Sequence, residues 1–150
     1  MAIRFEPALP LLTTRTFLTD VNQDIKVGDP VTLVSGYVQK ATATSDNLLG
    51  VAALSVKSST GEHLPISVWV GDDKNEFFGK CFGTAAITLQ GTTCGIKIDG
   101  NGIPFVNKDA TSKNVLLIVG KHPEDSWGAG TRVRFKINPA HSQYHSQYTA

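Results

Sequence analysis

Four histidines, two cysteines and one acidic run are the residues whose types and spacing could do chemistry in this chain. His141 and His145 stand four apart, as two metal ligands on one helical face would. The tail around them has no apolar face to hold a helix, and two imidazoles fall short of the four ligands of a structural zinc site. Cys81 and Cys94 form no Cys-x-x-Cys pair and have no histidine at finger spacing. They read as small, half-buried free thiols, with an 81–94 disulfide as the alternative. Asp72-Asp73-Lys74-Asn75-Glu76 offers carboxylates in a loop but lacks the central Gly and terminal Glu of a calcium loop, so it reads as a solvated turn. There is no Gly-x-Ser-x-Gly elbow, no phosphate-cradling Gly-rich loop ending in Lys-Ser/Thr, and no His-Glu-x-x-His pair. These residues predict no catalytic group, no metal and no cofactor.

The composition bounds the rest. The chain has 150 residues, 41% of them hydrophobic and 18% charged, enough for one packed domain and unlike a disordered chain. Fourteen basic against thirteen acidic residues leave +1, which gives no electrostatic case for nucleic acid. No apolar run approaches the ~20 residues of a membrane span. The start, Met1-Ala2-Ile3-Arg4-Phe5-Glu6-Pro7, has no basic segment leading into an apolar one, so no secretory leader is expected.

The elements that must position any site read as strands. Glycine and proline punctuate the chain, and the longest stretch free of both, Leu11 to Val27, carries Thr13, Thr14, Thr16 and Thr19, which disfavour helix. Residues 14–19 read as a short strand. Val31–Val34 and Tyr37–Ala41 flank a tight Ser35-Gly36 turn. Leu48–Val56 is apolar on both sides around Gly50, which points to deep burial or close backbone approach. In Leu64–Val70 the residues Leu64, Ile66, Val68 and Val70 share a face, and Pro65 marks a strand start or an edge. Glu76–Phe82, Ala85–Leu89, Cys94–Ile98, Ile103–Val106 and Val115–Val119 follow. Asp99-Gly100-Asn101-Gly102 predicts a type I′ turn. In Thr131–Ile137, Val133, Phe135 and Ile137 point inward. The sum is about eight to ten short strands without a convincing helix: an all-β barrel or sandwich.

Three regions are expected: an extended N-terminal arm (1–20), a β-barrel domain (21–138) and a polar tail (139–150) that carries His-Ser-Gln-Tyr twice. The arm holds apolar anchors at Ile3, Phe5, Leu9, Leu11 and Leu12, stiffened by Pro7 and Pro10 for lying along a neighbouring surface; the alternative is that it folds back as an edge strand of its own barrel. Trp69 faces away from the aliphatic row of its strand, and Trp127 sits in a long loop; both are candidate contact aromatics. Arg132, Arg134 and Lys136 form a basic stripe, either solvated and edge-protecting or a patch for an acidic protein surface. Tyr144 and Tyr148 become contacts if the tail docks.

The order of three segments resembles tailed-bacteriophage head decoration (capsid cement) proteins: Lys26-Val27-Gly28-Asp29-Pro30-Val31-Thr32-Leu33, then Gly36-Tyr37-Val38-Gln39-Lys40-Ala41, then Leu49-Gly50-Val51-Ala52. Ile66–Val70, the acidic loop and Glu76-Phe77-Phe78-Gly79-Lys80 continue the likeness, which spans roughly 21–138. The resemblance implies a small β-barrel or β-tulip-like domain with arms that reach neighbouring subunits. It implies a non-enzymatic structural protein on the outer surface of the virion, assembled in the host cytoplasm. The partners it implies are the major capsid protein and further copies of the chain, as a trimer or else a dimer. The rival reading is a carbohydrate- or receptor-binding head-fibre or adhesin module that uses exposed tryptophans as stacking platforms. A small β-barrel hydrolase is the third class.

Overall fold

Strand alternation and turn chemistry place most of the chain in short antiparallel strands. The computed structural model describes residues 4–8 and 12–144. In chain order the strands are β1 (Glu6–Pro7), β2 (Thr14–Leu18), β3 (Asp24–Ile25), β4 (Pro30–Val34), β5 (Tyr37–Lys40), β6 (Gly50–Ala52) and β7 (Val56–Lys57), followed by β8 (Pro65–Val70), β9 (Phe77–Lys80), β10 (Thr93–Ile98), β11 (Pro104–Asn107), β12 (Leu116–Lys121) and β13 (Arg132–Ile137). Three of these thirteen are two-residue pairings, which leaves ten of the expected length. Helical structure among the described residues is confined to two 3-10 turns, Ile87–Leu89 and Pro139–His141. The protein is all-β.

Two sheets carry the fold. One has the order β2-β8-β6-β4-β5, the other β1-β9-β13-β12-β10-β11, and β3 pairs with β7 as a separate ribbon. Each large sheet curls until two of its strands meet again at a single parallel bridge, Thr19 to Val38 in the first and Cys81 to Val106 in the second. No ladder follows either bridge, so neither sheet closes into the expected barrel. The reason is local: the chain leaves the first sheet after Thr19 and turns at Asn22, which has φ 58°, and it leaves the second after Cys81 and turns at Gly83.

Each curled sheet has its own apolar filling. Ile25, Val31, Val38, Leu49, Ala52, Ile66, Val68 and Val70 fill the five-stranded sheet. A larger cluster around Phe5, Phe77, Ile96, Leu116, Ile118, Val133 and Phe135 fills the six-stranded one. Leu48 and Val51 belong to the second cluster although Val51 lies in β6 of the first sheet and Leu48 just ahead of it, so the two halves share an interior.

The alternations in β8 and β13 stand as read, with Ile66, Val68, Val70, Val133, Phe135 and Ile137 buried. A Cβ on Gly50 would meet the Trp69 carbonyl oxygen at 2.1 Å, the close approach its setting implied. Ser35 and Gly36, at φ 52° and 87°, form the tight turn between β4 and β5. Three local readings are corrected. Leu48–Val56 splits into β6 and β7 because the chain bends at Ala53-Leu54 and Val56 pairs with Ile25 of β3 instead, while Leu48, ahead of β6, bridges to Ser142. Ala85–Leu89 contains a 3-10 turn, closed by the Gln90 amide on the Ile87 carbonyl. The 99–102 turn is not type I′, since positive φ falls only on Gly102 (77°). The Asp99 carboxylate accepts the Asn101 and Ile103 amides at 2.8 and 2.9 Å, which favours the ordinary negative-φ turn.

Both ends of the described chain fold onto the body. Residues 4–8 and 12–20 fold back onto the body, as the alternative reading of the arm has it: β1 pairs with β9, β2 pairs with β8, and Phe5 is 3% exposed with its ring 4.8 Å from that of Phe135. Burying an aromatic ring offsets far more ordering entropy than a solvated arm could, so the segment stays home. Ile3, Leu9 and Leu11 lie outside the described residues. At the other end, residues 139–144 dock across the five-stranded sheet.

Candidate interaction surface

The outer edge of β2 is exposed over Thr14–Thr16 and is closed at its far end, where Thr19 bridges to Val38 of β5. In the antiparallel β2–β8 ladder the Val70 amide donates to the Thr13 carbonyl and the Thr19 amide to the Leu64 carbonyl. Odd-numbered residues of β2 therefore bond to β8, and Thr14 and Thr16 aim their N–H and C=O groups away from it, while the outward side of Leu18 meets Val38 of β5 at the parallel bridge. Thr14, Arg15, Thr16 and Leu18 are exposed. Beside this edge lies a half-open groove of about 330 Å³ lined by Arg15, Thr16, Phe17 and Tyr144.

Both ends of β2 are pinned, which keeps the edge extended. Asn75, 1% exposed, accepts the Thr13 amide at 3.0 Å and donates to the Thr13 and Val70 carbonyls at 2.9 and 2.8 Å. At the other end the buried Thr19 hydroxyl accepts the Leu64 amide at 3.0 Å, and the Asp20 amide donates to the Val38 carbonyl. Asp20 also accepts from the Gln39 side-chain amide at 2.7 Å, and that bond leads the causes that lower its carboxyl pKa.

Tyr144 reaches the groove because the C-terminal segment is held by polar side chains. Gln143 Oε1 accepts the Leu33 amide at 2.7 Å, and its Nε2 donates to the Leu33 carbonyl at 2.9 Å. The side-chain amide thus takes the place of a strand neighbour on β4. Ser142 Oγ donates to the Gly71 carbonyl at 2.6 Å. Tyr144 packs with Phe17 against the filling of the five-stranded sheet. Tyr148 lies outside the described residues.

The N-terminal segment is anchored on the Gly28-Asp29 corner. Gly28, at φ 92°, passes under the chain so closely that a Cβ would sit 2.5 Å from the Phe5 carbonyl oxygen. Asp29 is fully buried and ion-paired to Arg4, with Lys40 Nζ at 3.5 Å. Arg4 Nη1 and Lys40 Nζ each also donate to the Gly102 carbonyl at 2.8 Å. One carboxylate therefore ties the N-terminal segment, β4, β5 and the β10–β11 turn together.

The remaining candidate contacts are spent inside the protein. Phe5 is core, and Leu12, Trp69 and Trp127 are half-buried against the same cluster. Arg132 is held by Asp125, with Nε–Oδ2 at 3.0 Å and Nη2–Oδ1 at 2.8 Å, and that pairing holds the Asp125 carboxyl down at about 2. Arg134 is paired with Glu76 from the acidic run. Two cations of the stripe are thus matched by carboxylates of the chain itself rather than presented to an acidic partner. Asp72 closes its own loop by accepting the Lys74 and Asn75 amides. Cys81 and Cys94 are buried free thiols, and burial pushes Cys94 up to about 12, far from a reactive thiolate. Among the described residues no group of three His, Cys, Asp or Glu side chains could hold a metal ion.

Asn75, Gln143 and Asp29 escaped functional notice in the sequence. The one available signal was Asp29, a carboxylate between a turn glycine and a proline at the head of an apolar strand. No known protein family matches the chain, and no curated protein does.

Proposed function

We propose that this chain is a structural, non-enzymatic virion protein that binds the outer surface of a phage capsid and stabilises the shell as a homo-oligomer. The observation that carries this reading is the order of the segments 26–33, 36–41 and 49–52, whose strands β5, β4 and β6 are consecutive neighbours in one sheet. The described residues offer a partner scattered exposed apolar side chains. Ile87, 60% exposed, and Val119 are such side chains, in a 3-10 turn and a strand that contact each other. The glycan-binding alternative needs exposed stacking platforms, and Trp69 and Trp127 both pack on the core.

The test is retention on capsids. Purified protein is added to mature heads of the source phage stripped of accessory proteins, and the heads are pelleted and heated. Saturable binding with a rise in the temperature of head disruption is expected, reduced at least tenfold by Ile87→Asp. No binding to the heads, together with selective binding on a glycan array, would overturn the reading in favour of the adhesin module.

A further inference from the structure

We propose that the socket holding His141-Ser142-Gln143-Tyr144 is a binding site for either of the chain's two His-Ser-Gln-Tyr repeats, so that His145-Ser146-Gln147-Tyr148 takes the place of the first repeat after a four-residue slip of the C-terminal segment. The inference does not depend on the capsid reading. It starts from what each side chain of the first repeat does. His141 Nδ1 lies 3.1 Å from the Asp46 carbonyl oxygen, and the His141 carbonyl accepts the Leu48 amide. The Ser142 hydroxyl donates to the Gly71 carbonyl. The Gln143 amide donates to the Leu48 carbonyl, while its side chain spans the N–H and C=O of Leu33. Tyr144 packs with Phe17 against the filling of the five-stranded sheet. A carboxamide suits Leu33 because it presents a donor and an acceptor side by side, where a carboxylate would present acceptors alone. All four residues are therefore used, and the sequence supplies the same four again with nothing between.

The slip keeps every constraint that the socket imposes. Four is an even number, so the backbone groups and side chains of an extended segment keep their directions. Only the residues ahead of the repeat change. Tyr144 then stands where Ala140 was, and Ala140 is exposed, so the ring has room. Asn138 stays fixed, since its amide donates to the Val115 carbonyl and its side chain to the Asn114 carbonyl, both at 2.8 Å. The four extra residues leave the body as a longer surface loop between Asn138 and His145, an extension whose entropic cost grows only with the logarithm of loop length. What the slip gives up is the 3-10 turn Pro139–His141, in which the Asn138 side chain accepts the Ala140 amide at 3.2 Å and the Asn138 carbonyl accepts the His141 amide at 2.8 Å. The first register is therefore the ground state, and the second is a minor one that fills when the first is weakened. The strap stays closed in both registers, but in the second it carries His141 and Tyr144 out of the socket into a surface loop, where a partner can meet them.

A double-mutant cycle on the full chain tests this, with exchange of the Leu33 amide as the readout. Gln147→Ala alone is expected to leave Leu33 as protected as in wild type. Added to Gln143→Ala, it should speed Leu33 exchange about tenfold or more beyond Gln143→Ala alone, because the spare carboxamide is gone. Slow exchange of the Ile118 amide, bonded to the Thr92 carbonyl, shows in each variant that the fold is intact. A Gln147→Ala change that is silent in both backgrounds would overturn the proposal. So would an equal effect in both backgrounds, which would give Gln147 a role outside the socket. Cutting the chain after Tyr144 is the second test: in the Gln143→Ala background it should speed Leu33 exchange as Gln147→Ala does, and no acceleration would likewise overturn the proposal.

Discussion

The two ends of this chain are both strapped across the body, but by different physics. The N-terminal segment is held by burial: Phe5 enters the core of the six-stranded sheet, and Arg4 meets a fully buried Asp29. The C-terminal segment is held by single polar atoms: the Gln143 amide on Leu33, Ser142 Oγ on the Gly71 carbonyl, and the His141 carbonyl accepting the Leu48 amide at 3.0 Å. An apolar strap loosens all at once when its anchor goes. A polar strap loosens one bond at a time, and each loss leaves a buried partner without a hydrogen bond. The difference predicts a hierarchy of effects.

The largest effects belong to the N-terminal strap. Phe5→Ala should cost about 3–5 kcal/mol, read as a fall in the denaturation midpoint with the m-value unchanged. Asp29→Ala should cost a similar ~3–5 kcal/mol, because it leaves Arg4 and Lys40 partly buried without their carboxylate. If either substitution left stability intact while only partner binding fell, the segment would be an arm after all. Gln143→Ala tests the polar strap and should cost less, about 1–3 kcal/mol, since Leu33 loses partners for its amide and carbonyl.

Acid supplies a smaller effect away from both straps. The Asp125 carboxyl falls from 3.8 to about 2, chiefly through its hydrogen bond with Arg132. A carboxyl depressed in the folded state contributes stability that is complete above its unfolded pKa and is lost as pH falls through the folded one. The contribution should therefore fade between about pH 4 and pH 2 and be absent in Asp125→Asn; after solvent screening it is about 1 kcal/mol. Paired pH titrations of stability for wild type and Asp125→Asn read it directly. The thiols should show the least effect. Cys81 and Cys94 should resist a thiol reagent in the native protein and both react once it is denatured, since burial raises both pKa values.

What was legible in the sequence follows the same division. Period-two alternation exposed β8 and β13, because side-chain direction in a strand is fixed by the backbone. The Ser35-Gly36 turn was legible because left-handed backbone favours glycine, here Gly36 at φ 87°. The Asp99 turn was not, because a carboxylate accepting two nearby amides chooses among turn types that share the same residues. The docking of the N-terminal segment was hidden because Phe5 and Leu12 serve equally well as anchors on oneself or on a neighbour. The roles of Gln143 and Asn75 had no signal, since a polar side chain that replaces a strand neighbour looks like any loop residue. β2 was readable as a strand, but how far its edge stays exposed depends on the curl of the sheet that brings Val38 of β5 to Thr19.

Native-state hydrogen exchange, resolved amide by amide, tests most directly whether both ends are locked while the β2 edge stays open. The Phe5, Ala8, Leu48 and Gln143 amides, bonded to Gly28, Glu76, His141 and Leu48, should exchange slowly. The outward Thr16 amide, on the exposed part of β2, should exchange fast. Fast exchange at Phe5 and Gln143, or a Thr16 amide as protected as theirs, would contradict it.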